Sequence, residues 1–425
     1  MTDSSSWDWS IGKRQIADIT QWKETFGYVE EPYVSPDGEK IAAIIKTEDM
    51  EFSVCENGNA WENAFDKVWF LRYSPDNRLT GIVSDTAEWT LAVEGEAWEN
   101  KYDFAWNTIF GRDGKSMLLM TQADGEYSVL INDVPWEETF PYMTNLAGNA
   151  DATRAAAVAQ TIRFSEGDIF AFQKGCYTVA VDGKVWDTNF VNVYEPVFSA
   201  DSAHVAAQVR TSLYDYTIVV DGEPWPAVWP WVWKAAFSPA DGSVTAPVKT
   251  PEGWTLARDG HVFWGQRFAQ LWHHVYSPNG MSIAAIVAPK YGHWTVAIDG
   301  NAWKKTFNDL VTDLVLSPSG RRAACAGKEN DRYTIAVDGT PWPFHCDMAW
   351  EPVFSPDEQH VAAKIEKDGQ FTVAVDGKPM KAQFKNLWNP VFSPDGEKIM
   401  IRAIEGSGDK ETYVRQVLPL TEILG

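Results

Sequence analysis

The sequence predicts an all-β fold: a β-propeller of about ten four-stranded blades, closed by pairing of its N-terminal and C-terminal strands. Three observations carry this expectation. An aromatic residue opens a short apolar alternation at Phe52, Trp89, Tyr127, Tyr177, Tyr216, Trp254, Trp294, Tyr333, Phe371 and Tyr413. Nine residues after each of the first nine stands a second marker: Trp61, Trp98, Trp136, Trp186, Trp225, Phe263, Trp303, Trp342 and Met380. Turn signals recur in phase between them. A fixed period of roughly 38 residues is the signature of a repeat architecture.

The unit around Tyr216 shows the strands in order. Glu195-Pro196-Val197-Phe198-Ser199 is a short apolar strand, and Ala200-Asp201-Ser202 is a turn. A second strand follows from His204 to Arg210, and a third from Tyr216 to Val220. Asp221-Gly222 closes a tight hairpin, because Asp-Gly supplies the positive φ angles of a type I′ turn. Glu223-Pro224-Trp225 begins the fourth strand. The first turn is Ser-Pro followed by Asp, Asn or Ser at Ser35, Ser74, Ser277, Ser317, Ser355 and Ser393. Proline presets φ for such a turn, and the residue after it tolerates the bend.

The chain ends predict the closure. The last unit has no fourth strand after Tyr413–Val417. The missing piece lies at the other end, where Trp22-Lys23-Glu24-Thr25-Phe26 matches Trp303-Lys304-Lys305-Thr306-Phe307. A strand over 22–26 that completes the last blade would remove the open sheet edge. This favours one domain over 1–425, with two smaller rings as the other arrangement ten units allow.

Residues that recur ten times build a scaffold, so function is sought where the copies differ. From the first turn to the aromatic marker most units take about 15 to 17 residues, but the fourth takes about 29, from Gly148 to Tyr177. The surplus, 162–173, reads IRFSEGDIFAFQ and is expected to form an extra hairpin bearing Phe164, Ile169, Phe170 and Phe172. A second departure is the run from Trp225 to Trp233, in which Trp231 has no repeat role and Trp229 replaces a phenylalanine. In an up-and-down blade both departures fall on one face. Phe164, Ile169, Phe170, Phe172, Trp229 and Trp231 are therefore the candidate partner-binding residues.

Composition limits the function classes. The formal net charge of −23 argues against nucleic acid and against electrostatic docking on an anionic membrane. No apolar run is long enough to span a bilayer, and the first residues show no secretory leader. The cysteines Cys55, Cys176, Cys325 and Cys346 form no CxxC or CxxCH pattern, so reduced thiols in a cytoplasmic protein are expected. His273-His274 is the one histidine pair, and neighbours on a strand point to opposite faces, which makes a poor chelate. No nucleophile, P-loop or dinucleotide motif is present, and most aspartates are explained by turns. No catalytic residue, metal site or cofactor is expected.

The Ser-Pro-Asp-Gly turn followed by an apolar strand resembles WD40-like (PD40) repeats of the TolB type, over nearly the whole chain. The acidity, tryptophan content and Val-Asp-Gly-x-x-Trp repeats also resemble the tryptophan-rich TmcD family, a subunit of a transmembrane redox complex in sulfate-reducing bacteria. That resemblance implies a non-catalytic cytoplasmic subunit, peripheral to the membrane through its partners. Those partners would be an iron–sulfur protein and a membrane cytochrome b. The other reading is a small-molecule or glycan-binding propeller, or a hydrolase, with its site in the central channel.

Overall fold

A computed structural model describes residues 4–164 and 167–425. It holds ten antiparallel sheets, and each is one blade. The blades span 33–60, 67–97, 104–135, 142–185, 192–224, 236–262, 270–302, 310–341, 348–379 and 386–419. Within blades 1 to 9 the strands lie in chain order from the inner edge outward, and blade 10 adds a strand from the N-terminal end at its outer edge. In blades 9 and 10 the inner strand is split in two.

The core lies between blades rather than within them. Ten apolar clusters each join one blade to the next, and the last joins blade 10 to blade 1 through Ile404, Tyr413, Ile41, Ala43 and Ile45. The succession of interfaces therefore closes on itself. The second strand of each blade, such as Ile41–Lys46, is buried on both faces, which is why it reads as a continuous apolar run. Alanine pairs such as Ala206-Ala207 and Ala284-Ala285 are fully buried there and allow close sheet packing.

The recurrent motifs now have physical reasons. Each hairpin Asp-Gly has positive φ at both residues, as at Asp221 (49°) and Gly222 (89°). The aspartate also accepts the N–H that opens the second strand: Asp221 from Val205 at 2.8 Å, Asp338 from Ala323 at 2.9 Å. A β-carbon on Gly222 would lie 3.6 Å from the Trp186 side chain of the preceding blade, and Gly339 meets Trp303 likewise. So the tryptophan of one blade covers the hairpin of the next. The buried Ser of Ser-Pro-Asp donates to that aspartate, as Ser355 does to Asp357 at 2.5 Å.

Closure differs from the expectation in one element. The strand that completes blade 10 is Gly12–Asp18, which pairs with Thr412–Pro419. Residues Trp22–Phe26 belong instead to a helix, Ile19–Phe26. Asp18 caps it by accepting from Gln21 N–H at 3.1 Å, and Gly27 ends it at φ 67°. Trp22 still does what its counterparts do: it is buried between blades 10 and 1, beside Gly58 of the next hairpin. The likeness to Trp303–Phe307 was one of packing, since Trp303 also lies outside any strand.

Arg415 fastens this seam. Its side chain is buried, and its Nε–H donates to the Asp37 carbonyl at 2.8 Å and an Nη2–H to the Asp8 carbonyl at 2.5 Å. Glu39 pairs with it at 3.0 Å, and Tyr413 Oη donates to the Gly38 carbonyl at 2.9 Å. In blade 6, Phe263 is half exposed under Arg258, and the adjacent Trp264 takes the buried place against Gly300.

Candidate functional site

Two places depart from the repeat. The first is the insertion of blade 4. It forms a short helix, Ile169–Lys174, rather than a hairpin. Asp168 accepts from Ala171 N–H at 2.9 Å to start it, and Gly175 at φ 96° stops it. Ser165 and Glu166 lie outside the described residues. Phe164 and Phe172 are half-buried on each other, with ring centroids 6.0 Å apart. Ile169 and Phe170 face solvent, at 61% and 80% exposure.

Trp229 is a correction to the candidate set. It is only 9% exposed and packs in the cluster between blades 5 and 6. Tyr216 and Trp229 exchange backbone hydrogen bonds at 2.9 Å each way, the pairing that Tyr177 and Phe190 make in blade 4. Trp229 is thus the blade 5 copy of a structural phenylalanine. Trp231 is half exposed at 51%. No hydrogen bond or ring contact among the described residues joins it to the insertion, although both lie on one face.

Sequence reasoning missed exposed apolar residues in other loops on that face, Met50 and Tyr291 among them, and two on the blade next to the insertion. Leu213 and Tyr214, in the second-to-third-strand loop of blade 5, are 50% and 75% exposed. The signal was available: most other blades place polar or small residues there, such as Thr86-Ala87 and Asp368-Gly369.

The second place is the inner edge of blades 5 to 7. Inner strands of six blades bulge at a residue with positive φ: Phe70, Asn107, Asn145, Glu195, His273 and Asp313. A bulge re-aims a side chain, and left-handed backbone at a non-glycine residue is strained. Three of the re-aimed residues face one cavity. Asn145, Glu195 and His273 line a cavity of about 1120 Å³. Tyr194, Trp231, Trp233 and Trp272 contribute aromatic walls, and Lys234 and Gln208 polar ones.

The rings are held in place from behind. Trp231 stacks on Tyr216 at 5.4 Å and 14°, and Trp233 on Trp254 at 5.6 Å and 8°. Trp272 meets Trp294 edge-on at 6.4 Å. Lys234 sits 3.6 Å from Glu195, both half exposed. His274, beside His273 but turned the other way, is buried with Nε2 2.9 Å from Thr245 Oγ1. Burial pushes its imidazole down to about 4. Burial raises the Asp313 carboxyl, and the nearby His273 opposes that shift. Among the described residues no group of three or more His, Cys, Asp or Glu is placed to hold a metal ion.

No protein-family model and no curated protein matches this chain. Many solved structures are similar to it, two of them as follows. One is described as the crystal structure of the eukaryotic initiation factor; it is 11% identical, with a TM-score of 0.47 over 79% of this chain and 92% of that one. The other is described as the structure of the Dos1 propeller; it is 10% identical, with a TM-score of 0.37 over 96% of this chain and 95% of that one.

Proposed function

We propose that this chain is a non-catalytic interaction scaffold that docks a protein partner on the second-to-third-strand loops of blades 4 and 5. The observation that carries this is Phe170, 80% exposed on the one helical insertion that breaks the repeat between strands. A repeated framework offers the same surface many times over, so selective binding needs a departure from it. Ile169 and Phe170 supply apolar anchors, and Leu213 and Tyr214 extend them across the neighbouring blade on the same face. Phe164 and Phe172 act behind them, by packing on each other within the insertion.

The partner in this reading is a subunit of a membrane-associated electron-transfer complex, an iron–sulfur protein or a membrane cytochrome b, with electrons carried by those subunits. The acidic, tryptophan-rich, TolB-type repeats support that assignment by resemblance. Among the described residues no helix is long and apolar enough to cross a membrane, so attachment in this reading runs through the partners. The test is co-expression with a candidate iron–sulfur protein and a candidate membrane cytochrome b. Interface anchors typically cost about 2 kcal/mol or more when truncated, so Phe170→Ala with Tyr214→Ala should weaken capture at least tenfold. Unchanged affinity in the double variant, or no association of the wild type, refutes the reading.

A further inference from the structure

Gln208 is out of place for the fold. Its register position in the second strand holds Ile44, Ile82, Met120 and Val158 in blades 1 to 4, and Ile286 in blade 7. Two other blades carry a polar residue there, and both have partners for their charge. Lys364 lies between the rings of Trp350 and Phe371, at 4.2 and 4.6 Å. Arg402 donates to the Ser35 and Asn389 carbonyls at 3.0 and 2.8 Å. Gln208 is 8% exposed, lines the channel cavity, and its amide has no hydrogen-bond partner among the described residues. Its amide opens onto the cavity instead of being sealed in the core, and the repeat shows that an apolar side chain serves the blade at this position. The unmatched group therefore points to a ligand.

The surroundings say which kind. Trp231, Trp233 and Trp272 present partly open indoles to the cavity, each held by a ring at its back or edge. Beside them stand an amide, which needs both a donor and an acceptor, and a carboxylate next to an ammonium 3.6 Å away. Glu195 is aimed inward by left-handed backbone at φ 32°. A flat apolar face rimmed by hydroxyls that both donate and accept answers all of these at once. We propose that the cavity on blades 5 to 7 binds a saccharide. Pyranose C–H faces lie on Trp231, Trp233 and Trp272, and hydroxyls pair with Gln208, Glu195 and Lys234. A volume of about 1120 Å³ is ample for a short oligosaccharide with water. The site is separate from the loop of Phe170, so the two readings stand or fall independently.

The test uses the full chain on an array of neutral gluco-, manno- and galacto-oligosaccharides and uronic-acid oligomers, followed by calorimetric titration of the bound sugar. A dissociation constant of about 1 mM or tighter is expected. Trp272→Ala and Glu195→Gln should each weaken it about tenfold or more. Gln208→Leu, which restores the apolar character of the repeat, should do the same while thermal stability holds or rises. Phe170→Ala should leave sugar binding unchanged. Three results overturn the proposal: no saccharide bound below about 1 mM, binding that survives both Trp272→Ala and Gln208→Leu, or displacement of the sugar by a tetraalkylammonium salt with an affinity that exceeds its own.

Discussion

Replacing Arg415 by methionine should loosen the seam of the ring and little else. The substitution keeps the volume of a nearly fully buried side chain and removes its charge. Two charge-assisted hydrogen bonds go with it, to the carbonyls of Asp37 and Asp8. Such bonds contribute roughly 1.5–3 kcal/mol each. Asp8 lies on an exposed segment, so water replaces the lost donor and that bond counts at the lower end. The Glu39 carboxylate is a third exposed, and its ion pair adds under about 1 kcal/mol. The total is at least about 3 kcal/mol, or roughly a hundredfold or more in an opening equilibrium. Hydrogen exchange read by mass spectrometry checks it segment by segment. Amides of Gly12–Asp18 and Thr412–Pro419 should exchange at least about a hundredfold faster, while blades 4 to 8 keep their protection. Equal acceleration everywhere, or less than about threefold at the seam, would show that Arg415 is not the fastener.

Three further outcomes follow from packing and protonation. A β-carbon at Gly327 would come within 2.5 Å of the buried Phe307 ring, whereas one at Gly265 meets nothing; Gly327→Ala should destabilise by about 2 kcal/mol and Gly265→Ala by under about 0.5, as read by denaturant unfolding. His274 stays neutral when folded down to about 4, while its unfolded counterpart takes a proton near 6.5. Stability should therefore be flat above that range and fall as pH drops through it, and His274→Leu should flatten the difference in urea midpoint between pH about 7 and about 5. The thiols of Cys55 and Cys346 are pushed up to about 11 by burial, and Cys325 is raised as well. All four cysteines should resist a thiol reagent in the native protein and react after denaturation; rapid native labelling would contradict their burial.

The blades were legible because their turns are chemical: Asp-Gly and Ser-Pro-Asp fix backbone angles and cap N–H groups locally. Trp229 was legible as a repeat residue, and that role is what buries it. The N-terminal strand was not legible. Gly12–Asp18 reads GKRQIAD, mostly polar because it is the exposed outer strand, and its partner lies some four hundred residues away. The helix of the insertion depends on a cap and a glycine that flank a very short run, too short for periodicity to declare it. The channel cavity was beyond reach for a different reason. Its polar residues come from blades 3 to 7, and the inward aim of Asn145, Glu195 and His273 rests on bulges that sequence does not mark.

The seam also fixes how the molecule responds to a pull. Gly12 stands opposite Val417 and Asp18 opposite Thr412, so both chain ends leave the ladder from the same side. Tension applied between the termini loads one rung at a time, as in opening a zip fastener, instead of shearing all rungs together. Elsewhere around the ring, covalent connections carry strain from blade to blade, and this is the one joint held by noncovalent bonds alone. Tethered by its two ends, the ring would part first there, at low force, with the other nine blades still upright.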